Sequence, residues 1–397
     1  MPESPNAERQ TLRILVLCYE WPPVGGGGGR VAKDVAELLA RRGHEVRVQT
    51  VRMPESPRHE SVNGVEVYRT WGFRARPDRC SPLEMAGYVV TSFGPALSHL
   101  RKFGPDIVHA HFAVPTGALA LAATALGKRP YVITAHLGDV PGAIPQQTDL
   151  LFRWLNPAVR PIWRRATEVT AVSEFVAELA NRAYGRRPVV IPNGISLAGR
   201  LPLSGLAQTA PRFIFVGRLN SQKNLAFLVP LLSELRDLAW DFDIIGDGDE
   251  RAKLQRAFAE AALSGRVHFH GWLPREGVER RLAGAEIFLL PSLVEGVPIA
   301  VLEALKFGLV VVGSDIPSLH SSVSHNENGW LLSLATPEAW VQILRELLTD
   351  ADRRQRMRQA SWSSAEKFDL ERITDKYEAV LFRAASTGPV GRGRSPS

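Results

Sequence analysis

Short apolar runs alternate with helical patterns along most of this 397-residue chain, and this alternation constrains the fold more than any other feature. Residues 12–23 read LRILVLCYEWPP, a continuous apolar run that is closed by prolines. Residues 30–46 follow with RVAKDVAELLARRGHEV, in which apolar residues recur at helical spacing until Gly43. Strands that alternate with helices build parallel β-α-β units, so the sequence predicts an α/β fold.

The alternation restarts in the second half of the chain, which predicts two doubly wound domains. Further strand candidates in the first half are EVRVQTV (45–51), PDIVHAHF (105–112) and RPYVITAHLGD (129–139). In the second half they are RFIFVGRL (212–219), DFDIIGDG (241–248), RVHFHGW (266–272), IFLLPS (287–292) and LVVVGSD (309–315). Ligands of open parallel sheets lie at the carboxyl ends of the strands. We therefore expect two Rossmann-like domains that face each other across a ligand-binding cleft.

The domain boundaries follow from changes in composition. We predict an N-terminal Rossmann-like domain over residues 1–195 and a Gly/Pro/Ser-rich linker over 196–212. A second Rossmann-like domain is expected over 213–365. The helix at about 366–385 is expected to pack back on the first domain, and residues 386–397 are expected to be a disordered tail.

Charge is unevenly distributed along the chain. Residues 1–200 hold 25 basic and 17 acidic side chains, whereas the remaining residues hold 23 and 24. A basic first half favours an anionic partner such as a lipid surface or a phosphorylated acceptor. No zinc-type spacing or aromatic-rich basic module supports nucleic-acid binding. Only two cysteines are present, Cys18 and Cys80, and the apolar run that ends at Cys18 is too short to cross a membrane. We expect a cytoplasmic protein with at most a peripheral membrane contact.

A five-glycine run lies between the first strand and the first helix. Residues 22–30 read PPVGGGGGR. Glycines allow a ligand to approach the backbone closely, and amides at a helix start favour an anion. The run fits neither the P-loop nor the dinucleotide pattern, because position 30 is Arg30. The alternative is a flexible surface loop. We predict a phosphate- or acceptor-contacting loop made of Gly25, Gly26, Gly27, Gly28, Gly29 and Arg30.

Two further loops carry charged side chains directly after strands. VGRLNSQKN (216–224) places Arg218 and Lys223 on one polar turn, where a guanidinium and an ammonium can hold a diphosphate. EGVPIAVLE (295–303) places Glu295 in a loop and Glu303 inside an apolar helical run. A solvated glutamate and a favourable helix start would also explain this pair. We interpret the two carboxylates as ligands of a sugar nucleotide.

Histidines and aspartates receive different interpretations according to their position. His136 and Asp139 follow a strand directly, and we predict that they lie on the acceptor or sugar side. The histidines of HAH (109–111) and HFH (268–270) lack the company of a metal site and are interpreted as structural. The four aspartates of DFDIIGDGD (241–249) lie at opposite ends of a strand, so they are interpreted as turn and capping residues.

Taken in order, these segments resemble the family 4 glycosyltransferases (GT4). The segments are PPVGGGGGR, ITAHLGD, AVSE, IPNGI, VGRLNSQKN, GDGDE and EGVPIAVLE, and the resemblance covers about residues 12–385. Members of this family are retaining enzymes that use nucleotide sugars and have the two-domain GT-B fold. The resemblance therefore implies transfer of a hexose from a nucleotide diphosphate sugar, with UDP- or GDP-hexose as the expected donor. It implies no cofactor and no divalent metal.

The resemblance also implies roles for individual residues. Glu295 matches the first glutamate of the family's pair, which touches the donor sugar, and Glu303 matches the second, which binds the ribose. Arg218 and Lys223 match the residues that hold the diphosphate. The implied catalytic residues are His136, Glu295, Arg218 and Lys223. The implied donor-binding residues are Gly217, Arg218, Lys223, Glu295, Gly296, Val297, Pro298 and Glu303.

The sequence departs from the family pattern in two places. Pro317 and Ser318 stand where the family has two glycines, and Ser321 stands where it has a glutamate. HLGD replaces the commoner HGxD. Two rival functions therefore stay open: a sugar-nucleotide epimerase of the same architecture, and a catalytically silent protein that binds nucleotide sugars. The expected acceptor is a sugar, a lipid-linked molecule or another anionic molecule, as in glycolipid or cell-envelope glycan synthesis.

Overall fold

The computed structural model describes residues 11–76, 80–142, 157–200, 203 and 210–387. The chain divides into two compact units, one made of Met1–Asn193 with Leu370–Ser397 and the other of Gly194–Asp369. Within the predicted linker, residues 201, 202 and 204–209 lie outside the described residues, and so do residues 388–397 of the predicted tail.

The apolar runs of the first unit form an eight-stranded sheet. Its strands are β1 (Arg13–Cys18), β2 (Glu45–Arg52), β3 (His59–Val62), β4 (Val65–Trp71), β5 (Ile107–His111), β6 (Tyr131–Ala135), β7 (Glu168–Ala171) and β8 (Val189–Val190). Their order is β3-β4-β2-β1-β5-β6-β7-β8, and every neighbouring pair is parallel except β3 with β4. β5 and β6 are buried along their whole length, as expected of parallel strands covered on both faces.

The second unit repeats this arrangement with six strands. They are β9 (Arg212–Val216), β10 (Asp241–Ile245), β11 (Val267–Gly271), β12 (Ile287–Leu290), β13 (Val310–Ser314) and β14 (Gly329–Leu332). All of them pair in parallel, in the order β11-β10-β9-β12-β13-β14. The two sheets confirm the predicted α/β class with two parallel-sheet, Rossmann-like domains.

Helices connect the strands of both sheets. In the first unit they include α1 (Gly27–Arg41), α2 (Pro82–Lys102), α3 (Ala118–Gly127) and α4 (Glu174–Tyr184), and residues 157–165 are also helical. In the second they are α5 (Leu228–Ser233), α6 (Arg251–Glu260), α7 (Arg275–Ala283), α8 (Ile299–Lys306), α9 (Pro337–Thr349) and α10 (Ala351–Ser364). The last helix, α11 (Leu370–Thr387), belongs to the first unit. No helix within the described ranges combines the length and apolarity that crossing a bilayer requires.

The longest helix within the described residues, α2, was not predicted from the sequence. Its start carries a recognisable signal, because Ser81 and Glu84 form a capping box. The Glu84 amide donates to Ser81 Oγ at 3.3 Å, and the Ser81 amide donates to Glu84 Oε2 at 2.6 Å. Pro95 inside the helix and its weakly periodic apolar residues conceal the rest of the pattern.

Arg42, directly after α1, forms ion pairs that hold α11 against this part of the first unit. Its guanidinium lies 2.7 Å from Glu378 Oε2, 2.8 Å from Asp375 Oδ1 and 2.8 Å from Glu371 Oε2. His44 Nε2 lies 3.1 Å from the other oxygen of Glu378. Burial alone would raise the pKa of Glu378, but the hydrogen bonds from Arg42 and His44 hold it below its ordinary value. The last helix is therefore held by charge as well as by its apolar face.

Replacing Arg42 should loosen α11 specifically. We expect Arg42→Met to lower the free energy of unfolding by about 2 kcal/mol, because Glu378 would stay half-buried without its cation. The matched control on the same helix is Arg383→Met, whose pair with Glu168 is half-exposed. It should lose less than about 1 kcal/mol. Denaturant unfolding and hydrogen exchange of the α11 amides measure both effects, and equal losses in the two variants would contradict this role of Arg42.

Candidate active site

Three neighbouring strands of the first sheet end in the segments that carry its unusual residues. The glycine loop follows β1, Phe112 follows β5, and His136 follows β6. These strands are adjacent in the sheet and parallel, so their carboxyl ends lie side by side. The topology thus brings together the glycine loop and His136, which are more than 100 positions apart in the sequence.

The glycine loop packs tightly against the chain before it. Gly25 has a φ of +89°, and a Cβ on Gly29 would lie 1.7 Å from the carbonyl oxygen of Glu20. The Gly26 amide donates to Glu20 Oε2 at 3.3 Å, and α1 begins at the next residue. Glycine is therefore required at positions 25 and 29 by backbone conformation and by close approach. The predicted loop is shorter than expected, because α1 already begins at Gly27 and so contains Gly27, Gly28, Gly29 and Arg30. Arg30 pairs with Asp34 at 3.9 Å.

His136 is buried beside this loop. Only 7% of the residue is exposed, and its ring stacks on Phe112 with the centroids 4.3 Å apart. Gly28 lies in the first turn of α1, and a Cβ on it would lie 3.0 Å from His136 Nδ1, so the start of this helix touches the imidazole. Burial lowers the pKa of His136 to about 4, so the imidazole is neutral at pH 7. Its Nε2 is buried and has no hydrogen-bond partner among the described residues.

Asp139 joins the loops that follow β5 and β6. Its Oδ1 accepts the Ala113 amide at 2.7 Å, and its Oδ2 accepts the His136 amide at 2.8 Å. The residue is 4% exposed. Burial raises the pKa of Asp139 to about 7, although these backbone hydrogen bonds act against the increase. In this structure the carboxylate sets the geometry of the two loops. Whether it also contacts an acceptor stays a prediction.

The predicted diphosphate and sugar residues of the second unit meet at the carboxyl ends of β9 and β12. Lys223 Nζ lies 2.5 Å from Glu295 Oε1, and Ser292 Oγ donates to the same oxygen at 2.6 Å. Both side chains of the ion pair are largely buried. The structure therefore brings together two residues that are 72 positions apart in the sequence and that were predicted to bind neighbouring parts of one donor.

Hydrogen bonds within and between these two loops fix their relative positions. The Leu293 amide donates to the carbonyl of Gln222 at 2.9 Å, and Gln222 Nε2 donates to the carbonyl of Val294 at 2.8 Å. The Lys223 amide donates to Asn220 Oδ1 at 3.2 Å. Sequence reasoning missed Asn220, Gln222 and Ser292, because single polar residues in loops carry no pattern of their own.

Close backbone contact explains the two glycines of GDGD (246–249). A Cβ on Gly246 would lie 1.9 Å from the carbonyl oxygen of Gly217, and one on Gly248 would lie 2.2 Å from that of Leu219. The Leu219 amide also donates to the carbonyl of Asp247 at 2.9 Å. The loop after β10 therefore supports the segment that carries Arg218.

The second predicted glutamate lies inside α8. The loop from Glu295 through Gly296, Val297 and Pro298 leads into this helix, whose first residue follows Pro298. Glu303 is 7% exposed within the helix, and Glu295 is 6% exposed in the loop. Neither glutamate is the solvated side chain of the alternative interpretation.

The segment that departs from the family pattern follows β13. Pro317 and Ser318 begin a short 3-10 turn, and Ser318 is buried with no hydrogen-bond partner for its Oγ within the described ranges. Ser321 is exposed, and its Oγ donates to the carbonyl of Ser318 at 3.3 Å. A hydroxyl therefore stands where the family pattern has a carboxylate.

One interpretation of the aspartates was wrong. Asp243 is neither a turn nor a capping residue, because it lies inside β10 and is fully buried. It pairs with His270 at 2.6 Å and with Arg212 at 3.4 Å. The signal was its place in an apolar strand opposite a histidine of the edge strand β11. Across the residues that the structure describes, no group of three or more histidines, cysteines or acids could hold a metal ion.

Both halves of the chain match glycosyltransferase families. Residues 25–198 match Glycosyltransferase Family 4, and residues 203–362 match Glycosyl transferases group 1. A sulfoquinovosyl transferase of Arabidopsis thaliana, SQD2, is 29% identical over 97% of this chain and 75% of that protein. A phosphatidyl-myo-inositol mannosyltransferase of Mycobacterium leprae is 24% identical over 95% of this chain and 98% of that protein.

Solved structures of low sequence identity share the fold. Sucrose-phosphate synthase from Thermosynechococcus elongatus superposes with a TM-score of 0.82 at 19% identity, over 94% of this chain and all of that chain. HepE of Anabaena, solved in complex with UDP and glucose, gives a TM-score of 0.74 at 18% identity, over 94% of this chain and 99% of that chain. These likenesses confirm the predicted GT-B fold.

The buried histidine predicts how stability depends on pH. The pKa of His136 is about 4 in the folded chain and 6.5 in the unfolded chain. Between these values only the unfolded chain binds the proton, so stability falls as the pH falls through this range. Asp139 acts in the opposite sense, because its folded carboxyl keeps its proton up to about pH 7. On going from pH 8 to pH 5, the His136 contribution should lower the free energy of unfolding of wild type by about 2 kcal/mol, and His136→Gln should lack this decrease. Denaturant unfolding across this range measures the difference, and parallel curves would contradict the burial argument.

Proposed function

The chain belongs to the family 4 glycosyltransferases, and from this membership we propose that it transfers a hexose, with retention of configuration, from a UDP- or GDP-hexose to an acceptor hydroxyl. That the protein is a glycosyltransferase of GT-B fold that uses a sugar nucleotide follows from the family and from the fold. The observation that carries the finer proposal is the buried pair of Lys223 and Glu295 on neighbouring loops of the second unit.

This pair supports donor binding because it joins the two kinds of group that a sugar nucleotide needs. The Lys223 ammonium, with Arg218 on the same loop, can neutralise the diphosphate. The Glu295 carboxylate can accept hydrogen bonds from sugar hydroxyls. Glu303 is buried inside α8, the helix that follows that loop. The family pattern assigns the ribose contact to this position. The departures at Pro317, Ser318 and Ser321 bear on the outer hydroxyls of the sugar and leave these contacts intact.

The proposed reaction is balanced without a cofactor or a metal. The bond between the sugar C1 and the diphosphate breaks, and the nucleotide diphosphate leaves with the bonding electron pair. The acceptor oxygen bonds to C1 on the same face, and its proton passes to a phosphate oxygen. Arg218 and Lys223 would stabilise the leaving charge, which is the main catalytic contribution in this scheme. NMR of the product tests it, since an inverted anomeric centre would exclude retention.

We also propose that the first unit binds the acceptor at the glycine loop and His136, and that it can contact a membrane that carries a lipid-linked acceptor. Among the exposed large apolar side chains of this unit, four lie on α2 or at the end of β4. Leu83 and Val90 lie on α2, Trp71 ends β4 and Phe73 follows it, and the rings of Trp71 and Phe73 are 6.3 Å apart. An exposed aromatic pair beside an apolar helix face is typical of interfacial contact. Sedimentation with anionic and neutral vesicles tests this proposal, and equal absence of binding would contradict it.

Donor binding gives the most direct prediction. In a thermal-shift panel of UDP, GDP, ADP and their hexose conjugates, we expect one nucleotide to raise Tm, with no change when EDTA is added. Lys223→Met should raise the Kd for that nucleotide by about 100-fold, because the diphosphate loses a partly buried cation. The matched control is Lys253→Met on α6, since its pair with Glu250 is exposed, and it should bind as wild type does.

The outcomes separate the rival functions. No shift with any nucleotide would contradict the donor site. Binding without transfer to any acceptor would favour a silent binding protein. Release of the nucleotide diphosphate without an acceptor would favour an epimerase.

A further inference from the structure

Phe112 has a backbone conformation that residues other than glycine rarely adopt. It follows β5 with a φ of +74° and a ψ of 134°. Such a conformation is unfavourable and persists only where surrounding contacts hold it. Here the Phe112 amide donates to the carbonyl of Thr134 at 3.0 Å, and its own carbonyl accepts the Gly117 amide at 3.0 Å. The first contact is with the neighbouring strand β6, and the second is with the turn that follows Phe112.

The ring of Phe112 is in contact with two parts of the predicted acceptor site. It stacks on the His136 imidazole with centroids 4.3 Å apart and an angle of 29° between the ring planes. A Cβ on Gly28 would lie 2.8 Å from Phe112 Cζ and 3.0 Å from His136 Nδ1. The phenyl ring, the imidazole and the glycine loop therefore touch one another.

Asp139 makes this contact set rigid. Its carboxylate accepts the amide of Ala113, which directly follows Phe112, and the amide of His136. The backbones that carry the two stacked rings are thus tied through one buried side chain. A change in the position of either ring would have to break these hydrogen bonds or turn the ring about its side-chain bonds.

Aromatic stacking alone does not explain the unusual backbone. Trp163 and Tyr184 in the same unit stack at 4.5 Å, and neither has a positive φ. Three of the described non-glycine residues with positive φ are asparagines, which tolerate this conformation, and Lys128 and Ala262 follow helix ends. Phe73 and Phe112 are neither, and of these two it is Phe112 that stacks on His136 beside the predicted site. Strain at such a place points to function.

We propose that Phe112 is a positioning residue of the acceptor site, whose ring fixes the orientation of the His136 imidazole and keeps the first turn of α1, at Gly28, against it. The role of His136 in transfer rests on the proposed function, whereas the stack itself does not. The ring also covers one face of the imidazole and keeps water from it. The titratable groups around His136 are His111, with ring centroids 5.8 Å apart, His109, whose pKa a charge on His136 would lower, and Asp139.

Histidine-selective NMR of the full chain tests this role. The His136 signal is assigned by its loss in His136→Gln, and its pKa is measured in wild type, Phe112→Leu and Phe112→Tyr. Burial lowers this pKa to about 4 in wild type. We expect Phe112→Leu to raise it by about one unit or more, because a leucine leaves part of the imidazole exposed to water. Phe112→Tyr keeps the ring and should match wild type.

Transfer kinetics give the second measurement. Phe112→Leu should lower kcat by about tenfold or more with the donor KM within about twofold, because the donor residues are in the other unit. Phe112→Tyr should restore kcat. A matched control is Phe103→Leu, a buried ring under Arg13 at the amino edge of the same sheet. It should leave the pKa of His136 unchanged even if it lowers Tm.

A variant outside Phe112 guards against misfolding as the explanation. Gly28→Ala should displace the ring or the imidazole and shift the pKa of His136. Gly26→Ala should not, since nothing lies within 4 Å of its Cβ. The proposal is overturned if Phe112→Leu leaves both the pKa and kcat as in wild type, or if Phe112→Tyr behaves like Phe112→Leu. If wild type transfers to no acceptor, the proposed function fails, while the pKa comparison still decides the role of Phe112.

Discussion

Parallel strands place all their carboxyl ends at one edge of a sheet, and both candidate sites depend on this constraint. In the first unit it joins the glycine loop after β1 to His136 after β6. In the second it joins Lys223 after β9 to Glu295 after β12. Apart from Arg30 inside α1 and Glu303 inside α8, the polar residues of both sites lie in the loops and short turns at these strand ends.

The sequence reveals the strands and the site loops but not the contacts between them. Buried parallel strands are continuous apolar runs, so β1, β5, β6, β9 and β12 were visible. The ion pair of Lys223 with Glu295 was not, because a pairing over 72 positions depends on strand order, which no local pattern encodes. The helix α2 and the buried Asp243 were missed for a different reason. Their local sequences, a proline inside a helix and an acid inside a strand, contradict the usual preferences, and tertiary contacts decide the outcome.

Glycine has two physical roles in these sites, and only one of them concerns a ligand. Gly29, Gly246 and Gly248 are needed because a Cβ would collide with the protein's own backbone. Gly26 has nothing within 4 Å of its Cβ position, so packing does not require glycine there. A run of glycines in a sequence therefore does not by itself identify a ligand loop. Within this run, Gly26 is the position at which the predicted approach of a ligand would give a physical reason for glycine.

Charge is divided unequally between the two candidate sites. Burial lowers the pKa of His136 and of its neighbours His109 and His111, so the first-unit site presents neutral imidazoles at pH 7. The cations, Arg218 and Lys223, are on the second unit. In glycosyl transfer the leaving diphosphate gains negative charge while the sugar carbon gains positive charge. A neutral imidazole does not oppose charge at that carbon, whereas an imidazolium would. A neutral His136 would suit the proposed place beside the sugar, and in that proposal Arg218 and Lys223 stabilise the leaving diphosphate.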